Sequence, residues 1–218
     1  MYSQSEENYI KTVYYLATDK NKWVSTNAIA KKINSKASSV TDMLKKLADK
    51  KVVVYKKYQG VTLTDLGKKT AANIVRKHRL WEVFLVDKLN FSWDEVHEVA
   101  EQLEHIKSPK LIKELDAFLD FPKTDPHGDP IPDQDGNSQI IEKCLLSTLE
   151  SNEAGICVGV HDTSTEFLKF LDKQGISLGE KIQVIEKEAF DESVQIKTSN
   201  LTLTVSNKVA NNIFIQKL

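Results

Sequence analysis

Four of the five prolines in this chain of 218 residues fall between Phe121 and Gly136, in the run Phe-Pro-Lys-Thr-Asp-Pro-His-Gly-Asp-Pro-Ile-Pro-Asp-Gln-Asp-Gly. Proline fixes φ at about −65° and has no amide hydrogen, so a run this dense fits neither a helix interior nor a central strand. The segment reads as a linker or strap. It separates two halves of different periodicity: helical spacing of apolar residues dominates before it, and alternation after it. The expected fold class is mainly α with a small β domain.

Between Ser5 and Ala17, apolar Tyr9, Ile10, Val13, Tyr14, Leu16 and Ala17 recur at helical intervals. Ser25 or Thr26 can cap a second helix carrying Ala28, Ile29, Ala30 and Ile33, and Asn34-Ser35-Lys36 breaks it. A third helix opens at Ser38-Ser39, with Val40, Met43, Leu44 and Leu47 inward. Two β-prone runs, Val52 to Tyr55 and Val61 to Leu63, then flank Lys56-Lys57-Tyr58-Gln59-Gly60, which reads as a hairpin turn.

Helix, helix, turn, helix, hairpin is the order of a winged helix-turn-helix. Net charge is only −1, yet nine lysines against two aspartates lie between Lys31 and Tyr58. A lysine run is often merely a solvated face, but beside a third helix and a wing it suits duplex DNA. In such modules the start of the third helix meets the major groove and flanking lysines neutralise phosphates. Lys36, Ser38, Ser39, Thr41 and Asp42 are candidates for base edges or nearby phosphates, and Lys45, Lys46, Lys56 and Lys57 for the backbone. Some winged helices bind proteins instead, so the pattern leaves both partners open.

A long helix is expected from Thr64-Asp65 to about Leu89, and Ser92-Trp-Asp-Glu95 has capping-box form for another that carries His97 through His105. Ser108-Pro109 opens a third, ending near Leu119, and the broad apolar faces here suit a dimer interface as well as a core. Positions four apart share a helix face, which pairs His78 with Glu82 and aligns His97, Glu101 and His105, with Glu104 adjacent. That is metal-ligand spacing, and the alternative is an ordinary solvated face. Asp125 and His127 of the strap could also reach a metal, because prolines hold a loop without a large ordering cost. Beyond the strap, segments at Gly155–Val160, Lys181–Ile185, Val194–Lys197 and Leu201–Val205, interrupted by a helical Ser164–Lys173, describe a small β-barrel.

Composition, 40% hydrophobic and 28% charged, is that of a globular protein, and no apolar run approaches the roughly 18 to 20 residues of a membrane span. The polar, acidic start is no signal peptide, so a cytoplasmic protein with no membrane partner is expected. Cys144 and Cys157 lack zinc-knuckle or Cys-x-x-Cys spacing and are expected to be reduced.

These residues resemble the diphtheria-toxin-repressor-like metal-dependent regulators, which include the manganese transport regulators. The likeness rests on Arg76-Lys-His-Arg-Leu80 with Glu82, the His97 to His105 string, and Pro126-His-Gly-Asp-Pro-Ile-Pro132. Val158-Gly-Val-His-Asp162 through Leu178-Gly179 resembles the SH3-like barrel that long members append. The resemblance implies three parts: a winged helix-turn-helix at 1–70, a helical dimerisation and metal domain with its strap at 71–137, and an SH3-like, FeoA-like domain at 138–218. It also implies homodimers that bind Mn(II) or Fe(II), clamp a palindromic operator and repress metal-uptake genes.

By the same resemblance one metal site is built from His78, Glu82 and His97 with Asp162 and Glu166 of the barrel, and in some longer members with the strap positions Asp125 and His127. The other draws on Glu101, Glu104 and His105 with a residue of the first helix. Here that residue is Asn8, where relatives have an acid or methionine, which marks this as the weaker, tuning site. Glu101 replaces the cysteine of some iron-responsive relatives, and a hard carboxylate suits Mn(II), making manganese the first expectation and iron the second.

Two rival readings bear on the same residues. A di-iron carboxylate enzyme needs Glu-x-x-His on each of two helices, but Glu101 is followed by Glu104 and no second copy occurs, so no enzyme is expected. A winged-helix regulator answering an organic effector or a protein partner would leave the ligand spacing unexplained.

Overall fold

The computed structural model describes residues 2–17, 23–139 and 142–218. Helix α1 (Gln4–Leu16) starts at a reciprocal capping box: the Ser3 hydroxyl accepts the Glu6 N–H and the Glu6 carboxylate accepts the Ser3 N–H. Helix α2 (Thr26–Lys32) is capped by Ser25, whose hydroxyl accepts the Ala28 N–H at 3.1 Å. After a turn with Asn34 at φ 49°, α3 (Ala37–Asp49) begins one residue earlier than expected and buries Val40, Leu44 and Leu47.

The wing is antiparallel, with β1 (Val53–Lys56) paired to β2 (Gly60–Leu63) so that Lys56 faces Gly60. A short third piece joins it, because Val24 and Val61 exchange both backbone hydrogen bonds. Gly60 is required there: φ is +111°, and a Cβ would lie 2.3 Å from the Val24 carbonyl oxygen.

Helix α4 (Asp65–Leu89) runs for 25 residues, followed by α5 (Val96–Leu103) and α6 (Pro109–Phe118). At the expected Ser92 box only the glutamate arm forms, Glu95 accepting the Ser92 N–H at 3.3 Å, and the helix starts later, at Val96. It also ends at Leu103, so Glu104 and His105 lie in the turn beyond it and do not continue the face of His97 and Glu101.

The β domain is one antiparallel sheet of β3 (Cys144–Leu145), β4 (Ala154–Val160), β5 (Lys181–Lys187), β6 (Val194–Lys197), β7 (Thr202–Val205) and β8 (Ile213–Lys217), in the order β3-β8-β4-β5-β6-β7. Helix α7 (Thr165–Gln174) follows β4 and ends on Gly175 at φ 67°, and a single turn, α8 (Asn207–Ala210), precedes β8. Strands β3 and β8 were absent from the sequence expectation. Among the described residues no helix is long and apolar enough to cross a membrane.

Two compact units result: Met1–Trp81 with Glu101–Glu114 and Ile131–Ser138, and Glu82–Ala100 with Leu115–Pro130 and Gln139–Leu218. The first has a core of Ile10, Val13, Ile29, Val40, Leu44, Leu47, Val61 and neighbours. The second is centred on the sheet, with Leu146, Leu168, Leu171, Ile182, Ile196 and Ile215 fully buried.

Candidate metal centre

In the second unit Glu82 of α4 meets Asp125 and His127 of the strap, with one ligand-capable atom of each lying within 4.8 Å of the others. All three are buried, and His127 Nδ1 is 3.9 Å from Glu82 Oε1. His97, on α5 and largely exposed, brings its Nδ1 to 3.5 Å from the same oxygen.

Backbone chemistry holds Asp125 and His127 in place on the strap. Asp125 Oδ1 accepts the N–H groups of His127 (2.8 Å) and Asp129 (3.0 Å), and the Gly128 N–H returns to the Asp125 carbonyl (3.1 Å), closing a turn with Pro126 inside it. The His127 carbonyl accepts the Val160 N–H of β4 at 3.0 Å. Gly128 takes φ +83° with its α-carbon against β4, where a Cβ would lie 1.9 Å from the Val158 oxygen.

The imidazole itself is fixed from behind. His127 Nε2 is 2.8 Å from the Trp93 carbonyl oxygen, which can only accept, so Nε2 is the donor and the neutral ring has its lone pair on Nδ1, toward Glu82. The Trp93 ring stacks on His127 at 6.3 Å and 13°, and its Nε1 donates to Asp172 of α7 at 3.0 Å. One imidazole nitrogen and two carboxylates form a nitrogen and oxygen donor set that fits a divalent first-row metal.

Asp162 and Glu166 of the same unit belong to no three-residue ligand group among the described residues. Asp162 Oδ1 accepts the Ser164 N–H at 2.9 Å, and Glu166 is exposed in the first turn of α7.

The first unit gathers a different set. Lys11 Nζ lies 2.6 Å from Glu101 Oε2 and 2.7 Å from both oxygens of Glu104. His78 Nδ1 donates to Glu104 Oε2 at 2.7 Å, and His105 Nδ1 is 2.6 Å from Glu7 Oε2. Burial opposes the charge of Glu104, but the His78 hydrogen bond and the Lys11 ammonium outweigh it and hold its carboxyl below the usual range. Among the described residues Asn8 Oδ1 is buried with no hydrogen-bond partner. Glu7 and Lys11 were missed in the sequence, although two charges four apart beside buried Ile10 were the available signal.

On α3, Lys36, Ser38, Ser39, Asp42, Lys45 and Lys46 are exposed, as are Lys56 and Lys57 on the wing. Thr41 turns its hydroxyl back to the Ala37 carbonyl (2.9 Å), and Asp42 pairs with Lys45 at 3.4 Å. Lys46 also reaches Glu6 of α1 at 3.2 Å, so it has a partner within the protein.

Comparison with known proteins decides what these groups belong to. Residues 1–61 match the iron dependent repressor N-terminal DNA binding domain, 64–133 the iron dependent repressor metal binding and dimerisation domain, and 144–217 the FeoA domain. A manganese-dependent transcriptional repressor solved in complex with manganese is 33% identical, with a TM-score of 0.84 over 98% of this chain and 100% of that one. The chain belongs to the iron-dependent repressor family.

The manganese regulator SloR is a further structural relative, 34% identical with a TM-score of 0.73 over 98% of both chains. An HTH-type transcriptional regulator of Methanocaldococcus jannaschii is 36% identical over 118 residues, 54% of this chain and 94% of that protein. The family is one of metal-dependent transcriptional repressors with a DNA-binding and a dimerisation domain. Glu82, His97, Asp125 and His127 fall in the stretch matching its metal-binding domain, as do His78, Glu101, Glu104 and His105. Asn8, Lys11 and the α3 and wing lysines fall in the DNA-binding match.

Proposed function

We propose that this iron-dependent repressor family member is a manganese-responsive repressor of metal-uptake genes, acting in the cytoplasm as a homodimer on a palindromic operator. The observation that carries the metal site is the Trp93 carbonyl holding His127 in the tautomer that turns Nδ1 toward Glu82. Glu82, Asp125 and His127 would hold the metal, with His97 beside them and Asp162 and Glu166 as further candidates. A bound divalent ion supplies positive charge to two buried carboxylates and joins α4 to the strap.

Manganese is favoured by a donor set of hard oxygens and imidazole without thiolate, and Fe(II), which accepts the same ligands, is second. The working division is a DNA-binding part at 1–70, a dimerisation and metal part at 71–137 and the SH3-like part at 138–218. Lys36, Ser38, Ser39, Thr41 and Asp42 would face bases or nearby phosphates; Lys45, Lys46, Lys56 and Lys57 would take phosphates.

Metal favours the DNA-competent state only through tighter binding to that state, and coupling of about 1 to 3 kcal/mol is the expected scale. Operator binding measured at fixed salt with Mn(II), Fe(II), Zn(II) or a chelator tests this. Tighter binding with Mn(II) is expected. Equal affinity with and without chelator would sink the reading, and a response to an organic effector instead would support the rival regulator.

A further inference from the structure

The network around Lys11 resolves a point on which the second metal pocket depends. Glu101 and Glu104 offer three oxygens to one cation, and that cation is the protein's own: the Lys11 ammonium spends a hydrogen bond on each, at 2.6, 2.7 and 2.7 Å. Lys11 is only 7% exposed and Glu104 is fully buried, so that pair is not a loose surface pair, while the Glu101 side chain is 37% exposed at the pocket's outer side. An ammonium has three N–H donors, and three short acceptors satisfy it.

The neighbouring imidazoles are engaged as well. His78 Nδ1 donates to Glu104, and His105 Nδ1 pairs with Glu7. Asn8 adds no negative charge. A divalent ion placed on the Glu101 and Glu104 oxygens would stand against a positive ammonium with little water between to screen it. Ion and ammonium compete for the same atoms, and the side chain is tethered to α1, which gives it the advantage of an intramolecular ligand.

We propose that the Lys11 ammonium is the resident cation of the Glu101–Glu104 pocket, that a divalent metal enters this pocket only by displacing it, and that Lys11 thereby sets the pocket's weak metal affinity. The process is displacement of the side chain, not loss of its proton. It rests on the metal-responsive reading above for its role in regulation, but the competition itself does not depend on the Glu82 site.

The test uses the full chain carrying His127→Ala, which removes the first site, titrated with Mn(II) alone while free Mn(II) is counted by electron paramagnetic resonance. The pocket is expected to fill weakly. Adding Lys11→Met should tighten it at least tenfold, whereas Lys11→Arg, which keeps a cation, should not. Coincident isotherms for His127→Ala with and without Lys11→Met overturn the proposal.

Should Lys11→Met fail to fold, the unaltered protein supplies the answer. With isotopically labelled lysine and diamagnetic Cd(II), the Lys11 side-chain resonance is expected to move with the second metal equivalent and not with the first. A second equivalent that binds without moving it, or no second equivalent even at high Cd(II), overturns the proposal. If the unaltered protein shows no first-site binding, the Glu82 reading falls while the Lys11 comparison, made without His127, still stands.

Discussion

His127 Nε2 donates to the main-chain carbonyl of Trp93 at 2.8 Å, and this one bond fixes the tautomer of the neutral ring with its lone pair on Nδ1. The donor therefore costs no tautomer change when a metal binds. Partners of this kind are typically worth about 10- to 100-fold in metal affinity. Because the acceptor is backbone, Trp93→Leu keeps the hydrogen bond to His127 and loses the stacked ring and its Nε1 bond to Asp172; it is expected to weaken Mn(II) binding less than tenfold. His127→Ala removes the imidazole donor and Glu82→Gln removes the carboxylate charge; each is expected to lower affinity at least a hundredfold and abolish metal-dependent operator binding. Calorimetric titration of the three variants checks the ranking.

Gly128 offers a sharper probe of the strap, since it touches no metal. A methyl there would meet the Val158 oxygen at 1.9 Å and the Gly159 α-carbon at 2.5 Å, from a backbone at φ +83°. Both objections are to backbone atoms, so the strap must lift from β4 and carry His127 with it. Gly128→Ala is expected to cost about 1 to 3 kcal/mol of stability locally and to weaken metal binding about as much as His127→Ala. Hydrogen exchange should show faster exchange at the Val160 amide, which His127 holds, with the α1 to β2 region unchanged.

Much of this was readable beforehand, for identifiable reasons. Ser25, Ser108 and the apolar spacing of α3 and α4 are local signals, and local signals fixed the helices and the wing. Asp125 and His127 were legible as metal candidates from the proline-stiffened strap and from the resemblance, but not the Trp93 carbonyl behind His127, because a main-chain acceptor leaves no trace in residue type. Helix α5 was extended too far: Leu103 ends it without glycine or proline, so nothing in the string warned that Glu104 and His105 leave the helix. Strand β3 has two residues, a length at which alternation carries almost no information, whereas β8, five residues with Ile213 and Ile215 alternating into the core, carried a signal that went unread. Lys11 was passed over because a lysine on an amphipathic helix ordinarily faces water.

Cysteine reactivity reports on the β domain, which holds both cysteines, Cys144 on β3 and Cys157 on β4. Cys157 on β4 is 1% exposed, and burial, with the nearby charge of Glu180, pushes its thiol up to about 11. The reactive form is the thiolate, so a raised value means less of it: at pH 8 about one part in a thousand, against about one in ten for an unshifted thiol near 9. Alkylation of the native protein is expected to modify Cys144 first, and Cys157 only on unfolding. Mass spectrometry after a brief iodoacetamide pulse at pH 8 reads both. Equal labelling would mean that the sheet opens far more readily than its core suggests.

The lysines of α3 and the wing differ in what the protein already asks of them. Lys57 is exposed at the wing tip, its ammonium over the Tyr58 ring at 5.0 Å, while Lys46 shares the buried Glu6 carboxylate with Lys50 at 3.2 and 2.7 Å. A phosphate contact releases counterions without reading sequence. Lys57→Ala is therefore expected to weaken specific and unrelated duplexes alike, reducing the salt slope of binding by about one unit while leaving stability unchanged. Lys46→Ala should reduce the slope less and lower stability by about 0.5 to 1 kcal/mol, since Glu6 keeps Lys50 as its partner. Ser39→Ala should instead alter preference among sites. Binding isotherms at several salt concentrations, on operator and unrelated DNA, with a thermal melt of each variant, separate the three. A Lys57→Ala protein with changed sequence preference and an unchanged salt slope would remove the wing from the phosphate-binding surface.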